Sequence, residues 1–145
     1  MEMSNDENQK LVSTICDIVL AALENETPVS DGHRLIYELE QLVMEVNSGA
    51  SFEQYFRWAR LEEIARIVSQ LETVDLTEVA QITSEAISVA YPDGLPPIPD
   101  DHVSLASWEG SEGQEARLSE LADQFTEYNG VITNKLADYA RQIGV

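Results

Sequence analysis

Two histidines, one cysteine and several closely spaced carboxylates are the residues of this chain whose types could do chemistry. Asp100-Asp101-His102 offers two carboxylates and an imidazole in a row, the donor types of a divalent-metal site. Adjacent residues in a loop rarely converge on one ion, and no second histidine stands at a ligand spacing, so a solvated loop is expected there. Glu62-Glu63 and Glu112-x-x-Glu115 have the look of helical metal carboxylates, but no Glu-x-x-His accompanies either pair. Arg66 follows Glu62 and Glu63 at helical spacing, which points to local ion pairing. His33 falls in the first turn of a helical segment and is expected to be exposed. Cys16 sits in an apolar helical pattern as a buried structural thiol, and the charge of Asp17 disfavours its thiolate. A lone cysteine leaves no disulfide within the chain. No Gly-rich phosphate loop is present, and neither histidine has the context of a nucleophilic triad. The expectation is a non-enzymatic protein with no catalytic residue, no metal and no cofactor.

Negative charge is what the sequence does concentrate. The chain carries 27 Asp and Glu against 8 Lys and Arg, a net charge of −19 over 145 residues. Between Arg66 and Arg117 no basic residue occurs, and the interval holds Glu72, Asp75, Glu78, Glu85, Asp93, Asp100, Asp101, Glu109, Glu112 and Glu115. Excess like charge opposes the compact state, so it has another cause: solubility, a salty habitat or a basic partner. Direct nucleic-acid binding is disfavoured, because Arg57, Arg60 and Arg66 are outweighed by charge that phosphates repel. An anionic membrane surface would repel the chain as well, and no apolar run approaches the ~20 residues of a membrane helix. Without the basic-then-apolar order of a signal peptide, a cytoplasmic location is expected.

The elements that must position these charges read as helices. Leu, Ile, Val and Phe are frequent enough for a folded core, which places the charge on the surface. Leu11, Ile15, Ile18, Val19, Ala22 and Leu23 recur at three and four, as one helix face does. Ser4 followed by Glu7 resembles a capping box, with residues 1–7 expected to be a flexible N-terminus. Ser30 or Asp31 can cap a second helix built on Leu35, Ile36, Leu39, Leu42, Val43 and Val46. Asn47-Ser48-Gly49 ends it with residues that tolerate left-handed geometry. A capping box from Ser51 to Gln54 opens a short aromatic helix, with Phe52, Tyr55 and Phe56 facing the core and Gln54 and Trp58 free to point outward. Leu61, Ile64, Ile67, Val68 and Leu71 follow, and Asp75 caps a helix using Val79, Ile82, Ala86, Val89 and Ala90. Residues 91–113 hold Pro92, Pro96, Pro97 and Pro99 and form a long loop that Trp108 pins to the core. From Leu118 to Ile143 apolar residues step by three and four, with Gly130 as a possible kink or break. The reading is one all-α domain over residues 1–145, a bundle of five to seven helices with a Pro/Gly-rich loop before the last helix or helix pair.

The segment from Val46 to Phe56, with Asn47, Gly49, Phe52, Gln54, Tyr55 and Phe56, resembles the Asn-Gly-Gly-Phe-x-Gln-Tyr-Phe signature of a bacterial family. That family is a domain of unknown function that includes a neisserial DNA mimic protein. Here Asn47-Ser48-Gly49-Ala50-Ser51 replaces the shorter link. The helix after the motif, the long loop and the Leu121-to-Tyr139 pattern also fit, so the resemblance covers roughly residues 30 to 143. The resemblance implies an all-α protein whose surface carboxylates imitate phosphates and occupy the basic DNA-reading face of a regulator. Charge independently favours a basic protein partner. Glu72, Asp75, Glu78 and Glu85 would contribute from helices, and Asp100, Asp101, Glu109, Glu112 and Glu115 from the loop. The alternatives are an immunity or inhibitor module that binds one protein through shape, and an uncharacterised domain whose acidity reflects habitat. The aromatic-rich seams could also serve a homodimer.

Overall fold

The computed structural model describes residues 5–101 and 104–144. Seven helices are described: α1 (Asn5–Glu24), α2 (Asp31–Gly49), α3 (Glu53–Trp58), α4 (Leu61–Thr73), α5 (Thr77–Ala90), α6 (Glu112–Thr126) and α7 (Asn129–Gln142). They form one all-α bundle, with a single isolated β-bridge between Arg60 and Leu105 among the described residues. α2 is central and touches α1, α3, α4, α6 and α7, while α5 packs between α4 and α6.

The period of 3.6 explains most of the core. Leu35, Ile36, Leu39, Leu42 and Val46 line one face of α2, and Leu61, Ile64, Ile67 and Leu71 one face of α4. Phe52, Tyr55 and Phe56 are at most 1% exposed, and Phe52 meets Phe125 edge-on, with ring centroids 5.4 Å apart. The final seam is two helices, because the chain leaves helical geometry at Tyr128 (φ −98°, ψ 3°), ahead of Gly130. The α1 face is narrower than its pattern. Val12, Ile15 and Val19 are buried, but Ile18 and Leu23 are exposed, since the main packing partners of α1 are α2 and α7.

The helix ends show where local rules were overridden. Ser30 caps α2 by accepting the His33 amide at 3.1 Å. α2 continues through Gly49, and Ala50 takes the left-handed conformation instead, with φ 51°. Gly49 serves packing: a Cβ there would lie 2.9 Å from Gln54 Oε1. Ser51 accepts the Glu53 amide at 3.1 Å, but Phe52 holds the N-cap position of α3, and the expected box to Gln54 does not form because its side chain turns to Glu45. Asp75 does not cap α5. Its backbone is left-handed (φ 62°) and closes α4, with Leu76 N–H reaching the Leu71 carbonyl at 2.9 Å. Ser111 and Gln114 form a capping box that starts α6 at Glu112, which shortens the expected loop and places Glu112 and Glu115 on a helix. At the other end, α1 is already helical at Asn5, so residues 5–7 of the expected flexible N-terminus are helical; Ser4 and the residues before it lie outside the described residues.

The proline-rich segment is tied down. Ala106, Ser107 and Trp108 donate backbone hydrogen bonds to Ala59, Arg57 and Phe56 at 2.7, 3.1 and 3.2 Å. Trp108 is 5% exposed, and its indole N–H reaches the Ala90 carbonyl at 2.9 Å, satisfying an orphan acceptor at the end of α5. The indole therefore pins the loop to the core, as its place in the sequence suggested.

Candidate protein-interaction surface

The nine carboxylates singled out by sequence are exposed or half-exposed, but they do different things for the fold. Glu78, Glu112 and Glu115 stand in the first turns of α5 and α6, where a negative charge complements the helix dipole. Glu85 meets Arg117 at 3.0 Å, and Arg117 also holds Glu120 at 2.9 Å. The Asp101 carboxylate accepts the Ser104 amide at 2.9 Å and the Ser104 hydroxyl. Asp75 supplies the left-handed residue that ends α4, a conformation that Asp tolerates better than most residues.

Glu72, Asp100 and Glu109 have no such role. Glu72 is the clearest case. It lies in the last turn of α4, which holds no basic residue, so its charge opposes the negative end of the helix dipole. Among the described residues no ion pair joins Glu72, Asp75 or Glu78 to a base. These three carboxylates fall within seven residues of one turn, and all are exposed.

Their spatial arrangement is uneven. Glu78 and Glu85 line a shallow groove of about 660 Å³ between α5 and α6, with Gln81, Ser84, Ser88, Gln124 and Tyr128. Seven residues apart on one helix, the two carboxylates are nearly aligned and separated by roughly 10 Å of rise. Glu72 and Asp75 lie at the end of α4 and in the α4–α5 turn, ahead of Glu78 in the chain, and do not line the groove. Glu112 and Glu115 precede Arg117 by five and two residues, which turns them roughly 140–160° away from the groove side of α6. Asp101 lies elsewhere, with Arg60, Leu61 and Glu62 at the start of α4, and Asp100 precedes it. Sequence reasoning missed Glu120 and Asp123, exposed carboxylates on α6, and Glu127, which caps its end. Their signal was three acidic residues following Arg117 with no basic residue before Lys135.

The remaining chemical candidates are placed plainly. Arg66 does not pair with Glu62 or Glu63. It forks onto Glu38 of α2, with Nε to Oε1 at 2.7 Å and a second, shorter bond to Oε2, while Gln70 adds a third donor at 2.9 Å. Glu38 is 3% exposed, and this buried acid was invisible to a search for surface charge. Arg60 takes Glu63 at 2.7 Å and Glu62 at 3.2 Å. Cys16 is half-buried, and burial, with Glu40 and Asp17 nearby, pushes its thiol up to about 12. His33 is half-buried beside Tyr139 and Ile143, not exposed. His102 lies outside the described residues. Among the described residues, no three His, Cys, Asp or Glu side chains are grouped to hold a metal ion, and no helix is long and apolar enough to cross a membrane.

The sequence pattern of the DMP19-like protein family matches residues 28–143, well over half of the chain. No curated protein and no solved structure matches the chain at a significant level.

Proposed function

The chain belongs to the DMP19-like protein family, and on that premise we propose that it is a non-enzymatic, cytoplasmic acidic protein that occupies the basic DNA-binding face of a regulator. The observation that carries the reading is the α4–α5 turn. Glu72, Asp75 and Glu78 are exposed there with no ion pair to a base among the described residues, and Glu72 stands against its own helix dipole. A charge that costs the fold stability and meets no base among the described residues is accounted for by a partner that neutralises it. DNA-binding proteins meet one phosphate per ~1.7 Å of duplex axis with Lys and Arg, so a surface of carboxylates on rigid helices addresses the same side chains. The groove between α5 and α6 continues that surface through Glu78 and Glu85.

The test uses the protein as bait in a lysate of its source at low salt, with elution by a salt gradient. The expected catch is one dominant DNA-binding protein that leaves in a narrow salt window. The variant carrying Glu72→Gln, Asp75→Asn and Glu78→Gln should hold this protein at least about tenfold more weakly, roughly 1.4 kcal/mol, and with a shallower salt dependence. Unchanged binding and salt dependence in the variant would remove this face from the account.

A further inference from the structure

A second surface, at the opposite end of α4 from the acidic turn, has different chemistry. Tyr37 of α2, Tyr55 and Trp58 of α3, and the carboxylates Glu45 and Glu63 line a cavity of about 340 Å³, with Arg60 at its edge. Tyr55 is 1% exposed, yet its hydroxyl has no hydrogen-bond partner. A buried hydroxyl left without a partner is rare in a folded chain and marks a place where a polar group is missing. Glu45 is half-buried, and the partner on its carboxylate is the neutral amide of Gln54 at 2.6 Å. Arg60 is shared between Glu62 and Glu63, so the lining keeps a net negative charge. Trp58 is 56% exposed at the rim, an unusual cost for the largest side chain of a helix whose other aromatics are all buried.

We infer that this cavity is a binding site for a guanidinium group, an arginine side chain presented by a polypeptide. Two accessible aromatic rings, Tyr37 and Trp58, beside two carboxylates favour a cation, through the negative ring faces and the carboxylates together. Among cations, guanidinium fits best. It is planar and weakly hydrated, stacks on indole, and offers five donors in a fork. Glu45 and Glu63 each have acceptor capacity left after their Gln54 and Arg60 bonds. This inference stands independently of the acidic-turn reading, because it shares no residue with it.

The test is an NMR titration of the ¹⁵N-labelled full chain with acetyl-arginine amide, following the two indole N–H signals. The expected result is a saturable shift of the Trp58 signal with the buried Trp108 signal unmoved. The neutral isostere, acetyl-citrulline amide, should bind at least about tenfold more weakly, and acetyl-lysine amide severalfold more weakly. Glu45→Gln, which retains an acceptor for Gln54, should weaken arginine binding about fivefold or more without changing the melting temperature. Trp58→Ala, at an exposed position, should abolish the saturable shift of the Tyr55 backbone amide. Equal binding of the citrulline analogue, tighter binding of the lysine analogue, or no saturable shift of Trp58 would overturn the proposal.

Discussion

Glu72 concentrates the tension between stability and function in one side chain. In the last turn of α4 it faces the negative end of the dipole with no base to offset it. Glu72→Gln should therefore stabilise the fold by about 0.3–1 kcal/mol at low ionic strength, a gain that shrinks as salt is added. Urea denaturation at two salt concentrations measures this; a loss of stability would give Glu72 a structural role. Cys16 shows the reverse, a group that the fold silences. Burial first, then Glu40 and Asp17, raises its thiol to about 12. The neutral thiol is thus favoured in the folded state. Its contribution to stability is intact below about pH 8.5, the ordinary thiol value, and is lost as pH rises towards 12. At pH 8 a disulfide reagent should label the native protein more than about a hundredfold more slowly than the urea-unfolded chain, because only the thiolate attacks. Equal rates would mean that the thiol is open to solvent.

At the scale of elements, the tie between α2 and α4 is ionic. Arg66 and Gln70 of α4 both serve Glu38, which is almost fully buried on α2. Arg66→Met should destabilise the fold by about 3–5 kcal/mol at pH 7, since it leaves a buried carboxylate without its cation. Replacing both partners by Met should recover most of that loss, and chemical denaturation of the single and double variants distinguishes the two cases. A sequence reading placed Arg66 with Glu62 and Glu63 because it could see only spacing along one helix. The pairing actually made spans 28 residues and needs two helices side by side. The same limit explains the helix ends. Periodicity located every helix, since burial of one face repeats every three to four residues. It could not tell that Gly49 would stay helical, close against Gln54, and that Ala50 would take the left-handed position. Nor could it tell that the backbone of Asp75 would be spent on ending α4 rather than capping α5. The aromatic motif was legible as core, because Phe52, Tyr55 and Phe56 share a helical face; the cavity beside Trp58 was not, because Tyr37 and Glu45 come from another helix.

For the molecule as a whole, the charge of −19 is distributed by two different causes. Carboxylates in the first turns of α2, α3, α4 and α6 serve the helices themselves, and Glu78 of α5 both complements its helix dipole and lines the groove. Those at the α4–α5 turn and along the α5–α6 groove form the outward-facing remainder on which the proposed function rests. The nine carboxylates legible in the sequence do not share one face. Asp100 and Asp101 stand by the start of α4, and Glu112 and Glu115 turn away from the groove. The surface proposed to meet a partner is thus smaller than the nine carboxylates of the sequence reading. The most direct measurement is a competition at fixed ionic strength between this protein and duplex DNA for the DNA-binding protein it captures, read by fluorescence anisotropy of the labelled duplex. Mimicry predicts mutual exclusion: the protein releases the duplex completely, and excess duplex releases the protein. A stable ternary complex, in which the duplex stays bound at saturating protein, would contradict it.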